Sequence, residues 1–204
     1  MIFIALDKKG GNKMKLERMF EIETNDIRVW DRIRVNHYTA TCQKLTSNGG
    51  IFLLDQYLDK PMRMNRNNTN NGGYLESDLR KALQSDDVLN IFSGIRDNMV
   101  PFDNGDLLRI PFAGEIFGDE LPEWFEQDGK EQWEPMTDRR NRLASRCGDY
   151  EWGWINNKRK SSLTNFCIVC HDGLVSSYKA SNVIGVRPVF QIANEIYKKK
   201  EIQE

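Results

Sequence analysis

Between Ile27 and Leu45 the chain reads IRVWDRIRVNHYTATCQKL, with Ile27, Val29, Ile33, Val35, Tyr38 and Cys42 recurring at near-alternate positions. A period of two sets successive side chains on opposite faces of a strand, so this stretch reads as β-structure with one face toward a core. Ser47-Asn48-Gly49-Gly50 then turns the chain into a second apolar run, residues 51–58 (IFLLDQYL), and the two predict a hairpin.

The middle of the chain changes period. Residues 65–73 (NRNNTNNGG) carry no apolar side chain and predict a solvated loop. Residues 74–84 predict a helix with Leu79 and Leu83 on one stripe. Ser85 or Asp86 is placed to cap a second helix over 87–98 that buries Val88, Leu89, Ile91, Phe92 and Ile95. Asp103-Asn104-Gly105-Asp106 predicts a turn before a short strand, 107–112. Residues 118–127 predict a short acidic helix, and Thr137 caps a stretch over 138–146. The last third returns to strands: 150–155, then 166–170, 174–181 and 183–193, with a polar loop over 156–165. Antiparallel hairpins packed with two central helices make the class α+β. The domain is expected over 25–193, between an N-terminal arm (1–24) and a charged C-terminal tail (194–204).

Composition excludes broad classes. Lys and Arg total 29 against 30 Asp and Glu, a net charge of −1, which argues against a general nucleic-acid binder. The apolar run from Met1 to Leu6 is too short for a signal core, and no stretch approaches the roughly 20 apolar residues of a membrane helix. A cytoplasmic location follows as the expectation, and with it free thiols at all four cysteines.

Cys167, Cys170 and His171 spell C-x-x-C-H, the attachment motif of a c-type haem. The flanking Phe166, Ile168 and Val169 favour a strand, on which Cys167 and Cys170 point to opposite faces. His171-Asp172-Gly173 reads as a turn. One C-x-x-C without a second pair makes a poor zinc site, so neither metal nor cofactor is expected. Cys147 and Cys170 are the candidate nucleophiles for an enzymatic alternative.

Three segments taken together, GGYLESDLRKAL (72–83), WGWI with FCIVCHDGLV (152–175), and IGVRPVFQI (184–192), resemble a bacterial and prophage domain family of unknown function. The resemblance spans residues 25–193 and implies a C-type-lectin-like fold, the fold also used by formylglycine-generating enzymes and phage receptor-binding proteins. It implies a non-enzymatic recognition module from a gut bacterium or its phage, cytoplasmic or virion-associated. Such a module would bind a protein or a glycan through its loop side. The contact candidates are Trp154, Asn156, Asn157 and Arg159, with Trp133 as a further aromatic. Glu134-Pro135 is followed by Met136 where calcium-dependent lectins carry Asn, so no metal is implied.

Charge is also segregated. Residues 115–134 hold eight acids and one lysine, whereas 139–160 hold seven basic residues and two acids. Paired with each other, these segments are scaffold. Unpaired, the acidic one would suit a nucleic-acid-mimicking inhibitor.

Overall fold

The computed structural model describes residues 27–193, together with the backbone of two short strands near the N-terminus. Those strands, β1 (Phe3–Ala5) and β2 (Lys15–Glu17), pair antiparallel. The rest of the expected arm, and the expected tail over 194–204, lie outside the described residues. Then come β3 (Arg32–Val35), β4 (Tyr38–Thr46) and β5 (Gly49–Leu54) as a meander. The short β6 (Met62–Arg63) precedes α1 (Asp78–Leu83) and α2 (Asp86–Leu89), and β7 (Met99–Val100) follows them. The middle segment carries α3 (Ala113–Phe117) and α4 (Arg139–Arg142). β8 (Ser145–Arg146) and β9 (Asp149–Tyr150) make a small hairpin. β10 (Gly153–Lys158), β11 (Asn165–Val169) and β12 (Val175–Lys179) form a three-stranded antiparallel sheet. β13 (Val183–Ile184) pairs with β6, and β14 (Val189–Ala193) enters the first sheet between β5 and β7. The fold is thus α+β with mostly antiparallel sheets.

The apolar runs explain the layering. Along β5, Phe52 and Leu54 enter the main core while Leu53 enters a second one; along β11, Phe166 and Ile168 go one way and Cys167 and Val169 the other. β10 splits in the same manner, Trp154 to the first core and Ile155 to the second. Strands covered on both faces read as continuous hydrophobic runs instead of alternation. The helices close the main core with Leu79, Leu83, Val88 and Leu89. Ser77 caps α1, its side chain accepting from the Arg80 N–H at 3.0 Å.

The Gly-Val-Arg-Pro element has a physical reading at each position. Gly185 lies against the Tyr57 ring, where an added Cβ would stand 2.6 Å from a ring carbon. Val186 is buried, Arg187 reaches inward, and the Pro188 carbonyl accepts the Leu54 N–H at 3.1 Å.

Several local expectations are corrected. The helix over 87–98 stops at Leu89 and continues only as 3-10 turns at Asn90–Phe92 and Arg96–Asn98, because Ser93-Gly94 breaks it. The acidic helix over 118–127 shrinks to one 3-10 turn at Gly118–Glu120, between Gly118 at φ 53 and Pro122. Instead the preceding residues form α3, started by Glu115, whose carboxylate accepts the Phe112 N–H at 2.9 Å. The strand over 107–112 reduces to a bridge between Arg109 and Val189. Asp138 takes the capping role given to Thr137, accepting from the Arg140 N–H.

Candidate functional site

Residues 159–164 join β10 to β11, and the polar loop over 65–73 lies against that connection. Asn70 clamps the two together. Its backbone N–H donates to the Leu163 carbonyl at 2.9 Å, and its Nδ2 donates to the carbonyls of Ser162 (2.7 Å) and Asn165 (3.2 Å). Behind it, Asn65 Nδ2 donates to the Thr69 carbonyl at 2.7 Å, and Asn65 Oδ1 accepts the Asp78 N–H at the start of α1. Two stretches almost without apolar side chains are therefore ordered by short amides that satisfy backbone groups.

The braced loops enclose a shallow cavity of about 360 Å³ lined by Asn71, Glu126, Lys158, Arg159, Lys160 and Leu163 among others. Lys158 Nζ meets Glu126 at 3.1 Å. Arg159 and Lys160 are exposed and in no ion pair among the described residues; the Arg159 backbone N–H donates to the Asn165 carbonyl at 3.1 Å and its guanidinium to Ser177 Oγ at 3.3 Å. Leu163 is 85% exposed, and Trp124, whose carbonyl accepts the Lys160 N–H at 2.8 Å, is 56% exposed.

Of the predicted contact residues, only Arg159 stands on this face as expected. Trp154 is 1% exposed; its Nε1 donates to the Met62 carbonyl at 2.9 Å and its ring meets Phe166 edge-on. Asn157 is buried, its Oδ1 accepting the Ala113 N–H and its Nδ2 donating to the Glu126 carbonyl and Asp128 Oδ2. Trp133 is 2% exposed in the second core. Asn156 is half-buried, its backbone bonded to the Pro111 carbonyl. The reason is that β10 runs through Lys158 with an irregular register after Trp154, so 154–157 is sheet and not loop. Burial removes Trp154, Asn157 and Trp133 from the reach of a docking partner. Leu163, Lys160 and Trp124 were missed. Leu163 did carry a signal, as the sole apolar residue in an otherwise polar loop.

The segregated charges meet. Arg142, 1% exposed, holds Glu120 with two bonds of 2.6 and 2.8 Å, and that hydrogen bonding draws the Glu120 carboxyl below its usual range. Residues 124–126 run beside 158–160, joined by the Glu126 N–H to Lys158 carbonyl bond. Glu115 pairs with Arg109, Glu131 with Lys44, and Glu134 accepts from Trp30 Nε1. Six acids of the segment are exposed; Glu120, Glu126, Glu131 and Glu134 each hold a partner, whereas Asp119 and Glu123 are in no ion pair among the described residues.

The thiols diverge as expected: Cys167 faces the second core, whereas Cys170, just beyond β11, packs against the first. The turn that follows has only Gly173 at positive φ (80), with Gly173 N–H bonded to the Cys170 carbonyl. Burial pushes the Cys42 thiol up to about 12, and burial followed by Asp172 also raises Cys170, the opposite of what a nucleophile needs. Cys147 is exposed at φ 54. Among the described residues no three His, Cys, Asp or Glu side chains converge as a metal site, and no helix is long and apolar enough to cross a membrane. Comparison with protein-family models, with curated proteins and with solved structures returns no match.

Proposed function

We propose that this chain is a non-enzymatic recognition module of bacterial or phage origin, with a C-type-lectin-like fold, that docks a protein through the braced loops. It works in the cytoplasm or on a virion. The observation carrying this reading is an apolar side chain, Leu163, held 85% exposed on a hydrogen-bonded platform and flanked by the uncompensated Arg159 and Lys160. An exposed apolar side chain fixed in place is ready to be buried by a partner at little ordering cost. The two neighbouring cations select a surface with acidic groups. Packed antiparallel hairpins and two central helices support the fold assignment.

The test uses crosslinked capture from host lysate. Wild type and the double variant Asp119→Lys/Glu123→Lys should retain the same partner, while Leu163→Glu should lose it. Loss with the Lys pair but not with Leu163→Glu would favour the acidic inhibitor instead. Competition by a free glycan, abolished by Trp124→Ala, would move the reading from protein to sugar.

A further inference from the structure

A second cavity, of about 360 Å³, lies between the outer face of the first sheet and the 135–143 segment. None of the recognition-loop residues lines it. Three independent features meet there.

The first is Gln43. It is the extra residue of a bulge in β4, where the register with β5 slips between Cys42 and Lys44. Its side chain keeps to the face of Thr39 and Thr41, opposite Ala40 and Cys42 in the core. It is 2% exposed and lines the cavity beside Thr41. Its Nε2 donates to the Thr41 carbonyl at 3.0 Å, which fixes the amide orientation, and its Oε1 is left without a hydrogen-bond partner. An orphaned buried acceptor asks for a donor.

The second is Arg187, 7% exposed. Its Nε donates to the Leu54 carbonyl, and its Nη1 donates to the carbonyls of Asn141 and Arg142. Nη2 makes no hydrogen bond, and no carboxylate lies within ion-pair distance of the guanidinium, among the described residues. The other charges lining the cavity are matched. Arg32 pairs with Asp55 at 2.7 Å, both Asp55 oxygens are also held by Thr39 and Thr41, and Arg140 pairs with Asp138. The cavity therefore carries one uncompensated positive charge at its floor.

The third is Trp30, half-exposed at the rim, with φ 78. A bulky side chain in the left-handed region is a strained arrangement of the kind kept at binding sites. Its N–H to Cys42 carbonyl bond (2.9 Å) and its Nε1 bond to Glu134 hold it there.

We infer that this cavity binds a small carboxylate bearing a hydroxyl group, with the carboxylate on Arg187, the hydroxyl donating to Gln43 Oε1, and Trp30 covering the mouth. Both open valences of the cavity are then used at once.

The minimal probes are glycolate and beta-hydroxypropionate. Acetate and propionate serve as controls without the hydroxyl, and ethylene glycol as the control without charge. Binding to the full chain is read by ligand-observed NMR and by the shift of the Gln43 side-chain amide signals. One hydroxy acid should bind about tenfold tighter than its unsubstituted counterpart, the worth of one otherwise unmade buried hydrogen bond. Ethylene glycol should not bind. Gln43→Met should erase that preference while leaving acetate and propionate binding unchanged. Because Gln43 makes only one bond to the protein, this variant keeps the fold. Arg187→Lys should weaken all the acids together. Equal binding of hydroxy and plain acids, a preference that survives Gln43→Met, or no binding of any acid overturns the inference.

Discussion

Arg109 and Arg187 are buried to nearly the same degree, 8% and 7% exposed, and the chain treats them in opposite ways. Arg109 is complete. Glu115 grips it with bonds of 2.7 and 2.6 Å, and the rings of Phe102, Phe112 and Trp133 stand within 4.8 to 5.9 Å of its guanidinium. Arg187 has three carbonyls and, among the described residues, no carboxylate within ion-pair distance. A bidentate carboxylate with aromatic faces neutralises a buried cation and leaves nothing to recruit. Neutral carbonyls hold the other in place without cancelling its charge. The first arrangement is a fastening, and the second retains a binding capacity.

The sharpest way to break this contrast is to remove each cation in turn. Arg109→Met strands a buried carboxylate and should cost about 3–5 kcal/mol in urea unfolding. Arg187→Met strands only carbonyls and should cost about 1–3 kcal/mol. Equal losses would show that Arg187 is as fully committed as Arg109.

The acid limb of stability sharpens the Arg187 side. Burial by itself would raise the Asp55 carboxyl, but hydrogen bonds from Thr39, Thr41 and Arg32, with the Arg32 charge, outweigh it and hold the group below its usual range. Because the folded value is the lower one, this stabilisation is complete above the unfolded carboxylate pKa near 4 and fades as pH falls through the folded value. Thr41→Val removes the 2.7 Å donor to Oδ1. It should cost about 1.5 kcal/mol at neutral pH and flatten the acid limb below pH ~4, followed by circular dichroism.

Smaller effects belong to the loop face. Asn70→Ala deprives two carbonyls of a donor and should cost about 1 kcal/mol, with faster amide hydrogen exchange over 159–164. Arg159→Ala with Lys160→Ala should leave stability within about 0.5 kcal/mol, yet abolish capture of the loop partner.

The sheet strands were legible where periodicity or a long apolar run survived, as in Ile33 to Cys42, in the IFLL of β5 and in the FCIV of β11. That β5 and β11 face two cores was not legible, since an apolar run does not say how many faces are covered. The 154–157 segment misled for a related reason. Asn156 and Asn157 read as loop by composition, but Asn157 spends its amide on the Ala113 N–H and the Glu126 carbonyl, which lets a polar residue sit inside a sheet. The pairing of acidic with basic segments was open to either outcome from sequence, because partner choice across distant residues depends on the fold. Gln43 gave no sign at all. A bulge is a mismatch between two strands, and one strand alone does not contain it.

The place of β14 also bears on how the molecule is made. It fills the gap between β5 and β7, and Arg187 reaches Leu54 across a separation of 133 residues. Until those late residues emerge from the ribosome, β5 is paired with β4 alone and its IFLL run keeps one open edge, a template for wrong pairing. Assembly of the central sheet must await β14, so folding should be slow, governed by long-range closure and not by helix formation. A nascent chain halted before Val189 should aggregate where the finished one does not.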